Sequence, residues 1–251
     1  FEVERRLKEI CDIPVFHDDQ HGTAIVLGAA LINAVKVVGK SLGTVKVVIN
    51  GAGSAGIAIA EFLLGLGVNN LIVCDRFGTI VKGRAGMTSA QENLVSRTNP
   101  DSIDGTLADA MRGADVMIGV SAAGVVSEEM VRSMNKNAIV FPMANPVPEI
   151  EPDKAKAAGA AVVGTGRSDY DNQINNVLAF PGVFRGALDA RATEINEPMK
   201  YAAARAIASL VGDDELCASY VIPRAFDLRV GTAVAEAVKK AAIETGVARL
   251  K

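Results

Sequence analysis

The apolar positions of this chain fall into short continuous runs, each closed by a turn and separated from the next by helical patterning. Residues 44–50 (TVKVVIN) form a β-branched run that leads directly into Gly51-Ala52-Gly53-Ser54-Ala55-Gly56. An Ala-, Ile- and Leu-rich stretch continues to Leu66, so the order predicts strand, glycine turn, helix. Gly67 and Asn69-Asn70 supply a helix stop and a turn, and residues 71–75 (LIVCD) are the next predicted strand. These pieces make a parallel βαβ unit. Continuous apolar runs at 115–120 and 138–143, and a weaker one at 161–164, extend the alternation. Strands that are apolar throughout are expected where helices cover both faces of a sheet. The fold class is therefore α/β, a doubly wound Rossmann-type parallel sheet running from about residue 45 to about residue 166.

Residues 23–39 are a predicted helix ahead of this unit, and the tail from Asn176 onward reads as several helices. The flanking helices are expected to meet in space and to belong to a second, truncated domain. The chain divides accordingly into 1–42, 43–175 and 176–251. The apolar run 24–38 is about a bilayer-spanning length at best, and Asn33 and Lys36 interrupt it, so it reads as a buried helix. There is no internal repeat and no low-complexity segment.

Composition narrows the class. With 251 residues, 49% of them hydrophobic and 22% charged, the chain can bury one large core or two small ones. A net charge of −3 without Lys/Arg runs leaves no electrostatic footprint for nucleic acid or an anionic membrane, which favours small-molecule chemistry. Cys11, Cys74 and Cys217 are odd in number, far apart and without CxxC spacing, so neither a disulfide framework nor a zinc site is expected. A reducing cytoplasmic compartment fits. The opening, Phe1-Glu2-Val3-Glu4, has neither an initiator Met nor the start of a signal peptide, and a fragment of a longer protein is expected.

The glycine turn is the first candidate site. A GxGxxG between a strand and a helix, with an acidic residue closing the next strand, is the pattern of a dinucleotide site. Gly51 permits the tight turn, Gly53 lets backbone approach a pyrophosphate and Gly56 allows close helix–strand packing, with Ala52, Ser54 and Ala55 completing the turn. The helix N-terminus adds N–H groups and positive dipole. Asp75 stands where a carboxylate accepts from the adenosine ribose diol. Arg76 beside it could pair with a 2′-phosphate, so NAD is the first choice and NADP is possible. The alternative is a glycine turn that serves packing alone.

Residues 14–23 (PVFHDDQHGT) place two adjacent carboxylates and two histidines before an apolar helix, a cluster that is costly without partners. Carboxylate oxygens suit Mg²⁺ or Mn²⁺, whereas paired histidines could suit a transition metal. A helix cap with solvated charges is the alternative. Asn145 follows the predicted strand 138–143 at a carboxyl end, where doubly wound sheets place ligands; an Asn-Pro turn fits the same residues. Asn175 and Asn176 precede a predicted helix and could serve as its cap.

FHDDQHGTAIV, the GAGSAG turn, VKGR at 81–84, the NP of MANPVPE and the NNVLAFPG run resemble malic enzymes in their short prokaryotic form, in that family's order and over most of the chain. The resemblance implies oxidative decarboxylation of malate to pyruvate and CO₂, with reduction of NAD(P) and dependence on Mg²⁺ or Mn²⁺. It makes Asp19 a metal ligand, with Asp18 close by as a candidate catalytic group and His17 and His21 as packing residues. It puts Asn145 beside malate and the nicotinamide, and Asn175 and Asn176 at the substrate, Asn176 also touching the cofactor. The family's lysine base, tyrosine acid and adjacent Glu-Asp ligand pair would precede Phe1. Asp171 stands where the family pattern has Pro. A homodimer or larger homo-oligomer is implied as well. Two other functions stay open: a non-catalytic NAD-binding fragment, or another Rossmann dehydrogenase of the amino-acid or shikimate type, which would leave FHDDQHGTA without explanation.

Overall fold

The β-branched runs become strands and the segments between them become helices. In the computed structural model, which describes residues 2–249, β1 (Lys46–Asn50), β2 (Asn70–Asp75), β3 (Gly78–Thr79), β4 (Val116–Gly119), β5 (Ala138–Pro142) and β6 (Ala160–Val163) form one sheet. Its order is β3-β2-β1-β4-β5-β6. The chain therefore reverses its winding direction beside β1, whose neighbours are β2 and β4, both parallel to it.

Five strands are parallel, and β3 corrects the all-parallel expectation. It pairs antiparallel with β2, Asp75 opposite Gly78, across a two-residue loop of Arg76 and Phe77. The Phe77 N–H donates to Asp75 Oδ1 at 2.8 Å, closing a turn on the aspartate side chain. Two residues are too few to carry an alternation, so no periodicity could announce this strand.

The helices are α1 (Glu2–Ile10), α2 (Thr23–Val37), α3 (Ser54–Leu66), α4 (Ser89–Val95), α5 (Leu107–Met111), α6 (Glu128–Arg132), α7 (Pro152–Ala157), α8 (Phe180–Asp189), α9 (Glu197–Ser209) and α10 (Leu228–Glu244). Side chains alternate across the sheet with period two. Val47, Ile49, Leu71, Val73, Ile118 and Phe141 face one apolar cluster shared with α2, α3 and α8 to α10. Val48, Ile72, Cys74, Met117 and Val140 face a second cluster with α5, α6 and α7. Each fully buried Ile, Leu or Phe contributes roughly 1.5–3 kcal/mol, so these two layers hold the sheet.

Most of α2 is buried, which is why its sequence reads as apolar all round. The NH₂ of its one buried amide is satisfied: Asn33 Nδ2 donates to the carbonyls of Ala208 at 2.9 Å and Val221 at 3.0 Å. That anchors α2 to the last turn of α9 and to the segment after it. Among the described residues no helix is long and apolar enough to cross a membrane.

Candidate functional site

Two clefts meet along the carboxyl ends of the strands. The first, about 740 Å³, runs over the end of β1 and is lined by Gly51, Ala52, Gly53, Asp75, Arg76 and Ser121 among others. The second, about 460 Å³, lies over β4 and β5 and is lined by Asp19, Ala55, Ser121, Asn145, Asn175 and Asn176 among others. Ser121 belongs to both walls. The position beside β1 is the switch point at which doubly wound sheets hold dinucleotides.

The three glycines of the turn do three different things. Gly51 has φ +125°, and a Cβ there would lie 2.5 Å from the Val120 carbonyl oxygen. Gly56 packs against Gly51 so closely that a Cβ would lie 2.9 Å from the Gly51 carbonyl carbon and overlap its oxygen. Gly53 is extended, and a Cβ there would meet nothing within 4 Å. The open side of Gly53 leaves room for a pyrophosphate against backbone, and no side chain caps α3, whose first residues are Ser54 and Ala55. The turn therefore fits the phosphate portion of a dinucleotide. Gln91 braces it from α4, donating from Nε2 to the Ala52 carbonyl at 3.1 Å.

At the far end of the first cleft, Asp75 is gripped by Arg84, whose Nη1 donates to Oδ1 at 3.0 Å and whose Nη2 donates to Oδ2. Burial pushes the Asp75 carboxyl up, but the Arg84 guanidinium and the Phe77 N–H outweigh it and hold the group below the usual carboxylate range. The carboxylate stays ionised at the rim. Arg76, at the loop tip, lies over the Phe77 ring, 4.6 Å from its centroid.

The second cleft is built by a π-helical turn at Asp18–Gly22, in which the Thr23 N–H reaches the Asp18 carbonyl five residues back. This turn directs the two adjacent carboxylates differently. Asp19 is exposed and opens onto the cleft. Asp18 is half-buried and accepts from Asn176 Nδ2 through Oδ2, while its Oδ1 is buried without a donor. Gly22 makes this possible, since a Cβ there would run into the Asp18 carboxylate. Burial first, and the neighbouring Asp19 second, push the Asp18 carboxyl up.

Asn145 follows β5 after Met143 and Ala144, in the wall of this cleft. Asn175 caps the short 3₁₀ turn Asn176–Leu178, its Oδ1 accepting from the Val177 N–H at 3.0 Å. The two cleft amides thus differ, Asn175 being spent on the cap and Asn176 on Asp18. His21 faces away from the cleft. It lies 2.7 Å from Glu4 Oε1 through Nε2, and Lys200 Nζ donates to its Nδ1 at 3.2 Å. His17 is exposed.

Among the described residues there is no group of three His, Cys, Asp or Glu side chains that could hold a metal ion. The oxygen-only chemistry of Asp19, which opens onto the cleft, still fits one edge of a hard divalent cation, which keeps several waters and needs only one or two carboxylates.

Sequence reasoning missed Ser121, Gln91, the grip of Arg84 on Asp75, and Glu149. Ser121 follows an apolar strand and could have been flagged by the strand-end rule. Thr88 and Gln91 form a capping box whose T-x-x-Q spacing was legible. The Arg84 pairing had no local signal.

A doubly wound sheet with an open glycine turn at its switch point and an ionised carboxylate closing the second strand is the architecture of a nicotinamide-dinucleotide-binding domain. The family described as malic enzyme, NAD binding domain, matches residues 20–243, and the chain belongs to that family. It is 61% identical to the bifunctional malic/malolactic enzyme of Bacillus subtilis strain 168 over 251 residues, covering 100% of this chain and 61% of that protein. It is 55% identical to the NAD-dependent malic enzyme of Geobacillus stearothermophilus, covering 99% of this chain and 52% of that protein. The crystal structure of malic enzyme from Pyrococcus horikoshii superposes with a TM-score of 0.95 at 44% identity, over 100% of this chain and 60% of that one. The chain is thus shorter than the proteins it resembles.

Proposed function

We propose that this chain is the cofactor-binding portion of an enzyme that oxidatively decarboxylates malate to pyruvate and CO₂ while reducing NAD. The observation that carries the reading is the meeting of the two clefts at Ser121, one shaped for a dinucleotide and the other lined by Asp19, Asn145 and Asn176. Gly51 to Gly56 would seat the pyrophosphate and Asp75 the adenosine ribose. Asn145 would orient malate and the nicotinamide, Asn176 would do so from the opposite wall, and Asn175 would complete the substrate side. Hydride would pass from malate C2 to nicotinamide C4 where the clefts join.

Asp19 would hold Mg²⁺ or Mn²⁺. When bound, the ion supplies Lewis acidity toward the oxygens of malate and pyruvate. Asp18, tied to Asn176 through one oxygen, keeps the other for a donor and is the catalytic candidate on this chain. The general base and acid would come from the further length that its relatives have, with residues 1–42 and 176–251 flanking the dinucleotide segment 43–175 on that side. A homo-oligomer and a cytoplasmic location belong to the same reading, the latter supported by three free thiols.

The cofactor is read as NAD. The anionic Asp75 at the rim opposes a 2′-phosphate, and Arg76 is turned over Phe77. NADP binding tighter than NAD in a fluorescence titration would overturn this choice. For the reaction, Asp19→Ala in the longer enzyme should abolish Mn²⁺ binding and Mn²⁺-dependent pyruvate formation while NAD affinity stays within about twofold. Unchanged turnover would return Asp19 to a helix-cap role.

A further inference from the structure

Glu149 is completely buried, and its carboxylate is held by N–H and O–H donors. It sits beneath the crest of the sheet, where β4 and β5 hand over to the loops that wall the clefts. The parallel ladder runs one residue past each strand: the Val120 N–H donates to the Asn50 carbonyl at 2.8 Å and the Met143 N–H to the Gly119 carbonyl at 2.9 Å. The next N–H in each loop, on Ser121 and Ala144, has left the sheet and needs another acceptor.

Glu149 supplies one oxygen to each. Ser121 N–H donates to Oε1 at 2.7 Å and Ala144 N–H donates to Oε2 at 3.0 Å. The Ser121 hydroxyl also donates to Oε1 at 3.2 Å, while accepting from Asn50 Nδ2 at 2.8 Å. The main chain repeats the tie, because the Val126 N–H donates to the Glu149 carbonyl at 3.0 Å. Space for the carboxylate depends on residue 119 being glycine, since a Cβ there would lie within 2.7 Å of both carboxylate oxygens.

Burying a carboxylate is costly, and three donors without a cation offset the cost only while all three are in place. A glutamine of the same shape would turn an NH₂ toward one of the two N–H groups. Only a carboxylate offers an acceptor to both loops at once. The residues so fixed are Ser121, common to both clefts, and Ala144, the immediate neighbour of Asn145. The pyrophosphate turn and Asp75 lie on the other side of the switch point and make no hydrogen bond to Glu149.

We propose that Glu149 is a positioning residue for the nicotinamide half of the site, locking the Ser121 and Asn145 loops at the spacing that the nicotinamide and the substrate require. This rests on the dinucleotide reading above, in which the adenosine half lies toward Asp75 and the nicotinamide half toward β4 and β5. The test compares NAD with ADP-ribose, which has the same adenosine and pyrophosphate but no nicotinamide, by calorimetric titration of the chain. In Glu149→Gln, NAD affinity should fall roughly tenfold, the loss of about one hydrogen bond, while ADP-ribose affinity stays within about twofold. Equal losses for both ligands would reduce Glu149 to a general structural role, and no loss for either would refute the proposal outright. If Glu149→Gln does not fold, Ser121→Ala removes the two bonds of the hydroxyl, to Glu149 Oε1 and from Asn50 Nδ2, while the Ser121 and Ala144 N–H groups keep theirs, and it should weaken NAD, and not ADP-ribose, by a smaller factor. An unaltered NAD to ADP-ribose ratio there also overturns it. A wild-type chain that binds neither ligand would instead overturn the dinucleotide reading itself.

Discussion

The glycine turn offers a way to separate folding from binding by one methyl group at two positions three residues apart. At Gly53 the backbone is extended (φ −80°, ψ −171°), any L-residue can adopt it, and an added Cβ touches nothing within 4 Å. Gly53→Ala therefore strains nothing. It gains about 0.4–1 kcal/mol by restricting the unfolded chain, and loses a similar amount, about 0.5–1 kcal/mol, because alanine is a poorer helix N-cap than glycine. Stability should be unchanged within about 1 kcal/mol, or some 2–4 °C in Tm for a chain of this size. The methyl, however, occupies the open side that a pyrophosphate must approach. Losing one charge-assisted bond from backbone to phosphate costs about 1.5–3 kcal/mol, which weakens NAD roughly 10- to 150-fold.

Gly56→Ala inverts the pattern. Its Cβ would overlap the Gly51 carbonyl oxygen, and overpacking against backbone costs about 1–3 kcal/mol or more, a Tm fall on the order of 2–12 °C. The assays are thermal denaturation without ligand and calorimetric titration with NAD. A Gly53→Ala chain that binds NAD like the wild type would refute the placement of the pyrophosphate. One that melts as early as Gly56→Ala would refute the division of labour among the glycines.

Two further outcomes follow from titratable groups away from the clefts. Asp115 accepts from Lys40 Nζ and the Lys46 N–H at 2.8 Å and from Asn135 Nδ2 at 2.9 Å. Burial raises its pKa, but those three donors outweigh burial and the carboxyl is held below its usual range. Its stabilisation is thus complete above about pH 4 and is lost as pH falls through the lower folded pKa. Asp115→Asn should cost about 2 kcal/mol at pH 7 and flatten the acid limb of a urea-midpoint profile; an unchanged limb would exclude Asp115 as a source of acid sensitivity. Among the thiols, the Ser219 hydroxyl lowers the pKa of exposed Cys217, whereas burial pushes Cys74 up to about 12. At pH 8 a disulfide reagent should label Cys217 first and Cys74 only on unfolding. Fast labelling of Cys74 in the native protein would contradict its place between β2 and the second core cluster.

By itself the sequence determined the parallel strands, the glycine turn and the chemical kinds of residue at the site, because these depend on local periodicity and on steric demands within a few residues. The GxGxxG announced the dinucleotide cleft in this way, and FHDDQHGTA announced a polar cluster before α2. Only the tertiary structure decided how such pieces divide their work. Asp18 and Asp19 are neighbours in sequence, yet the π-helical turn sends one to Asn176, 158 residues away, and leaves the other open to the cleft. The partner of Asp75 is Arg84 because a two-residue hairpin folds β3 back onto β2, an event too short to leave a pattern. Nothing in the residues around Glu149 sets it apart, and it is buried because two loops ending adjacent strands each present an N–H with no strand left to receive it. Long-range pairing of this kind has no local signal, since it is chosen by where the sheet ends and not by the residues on either side.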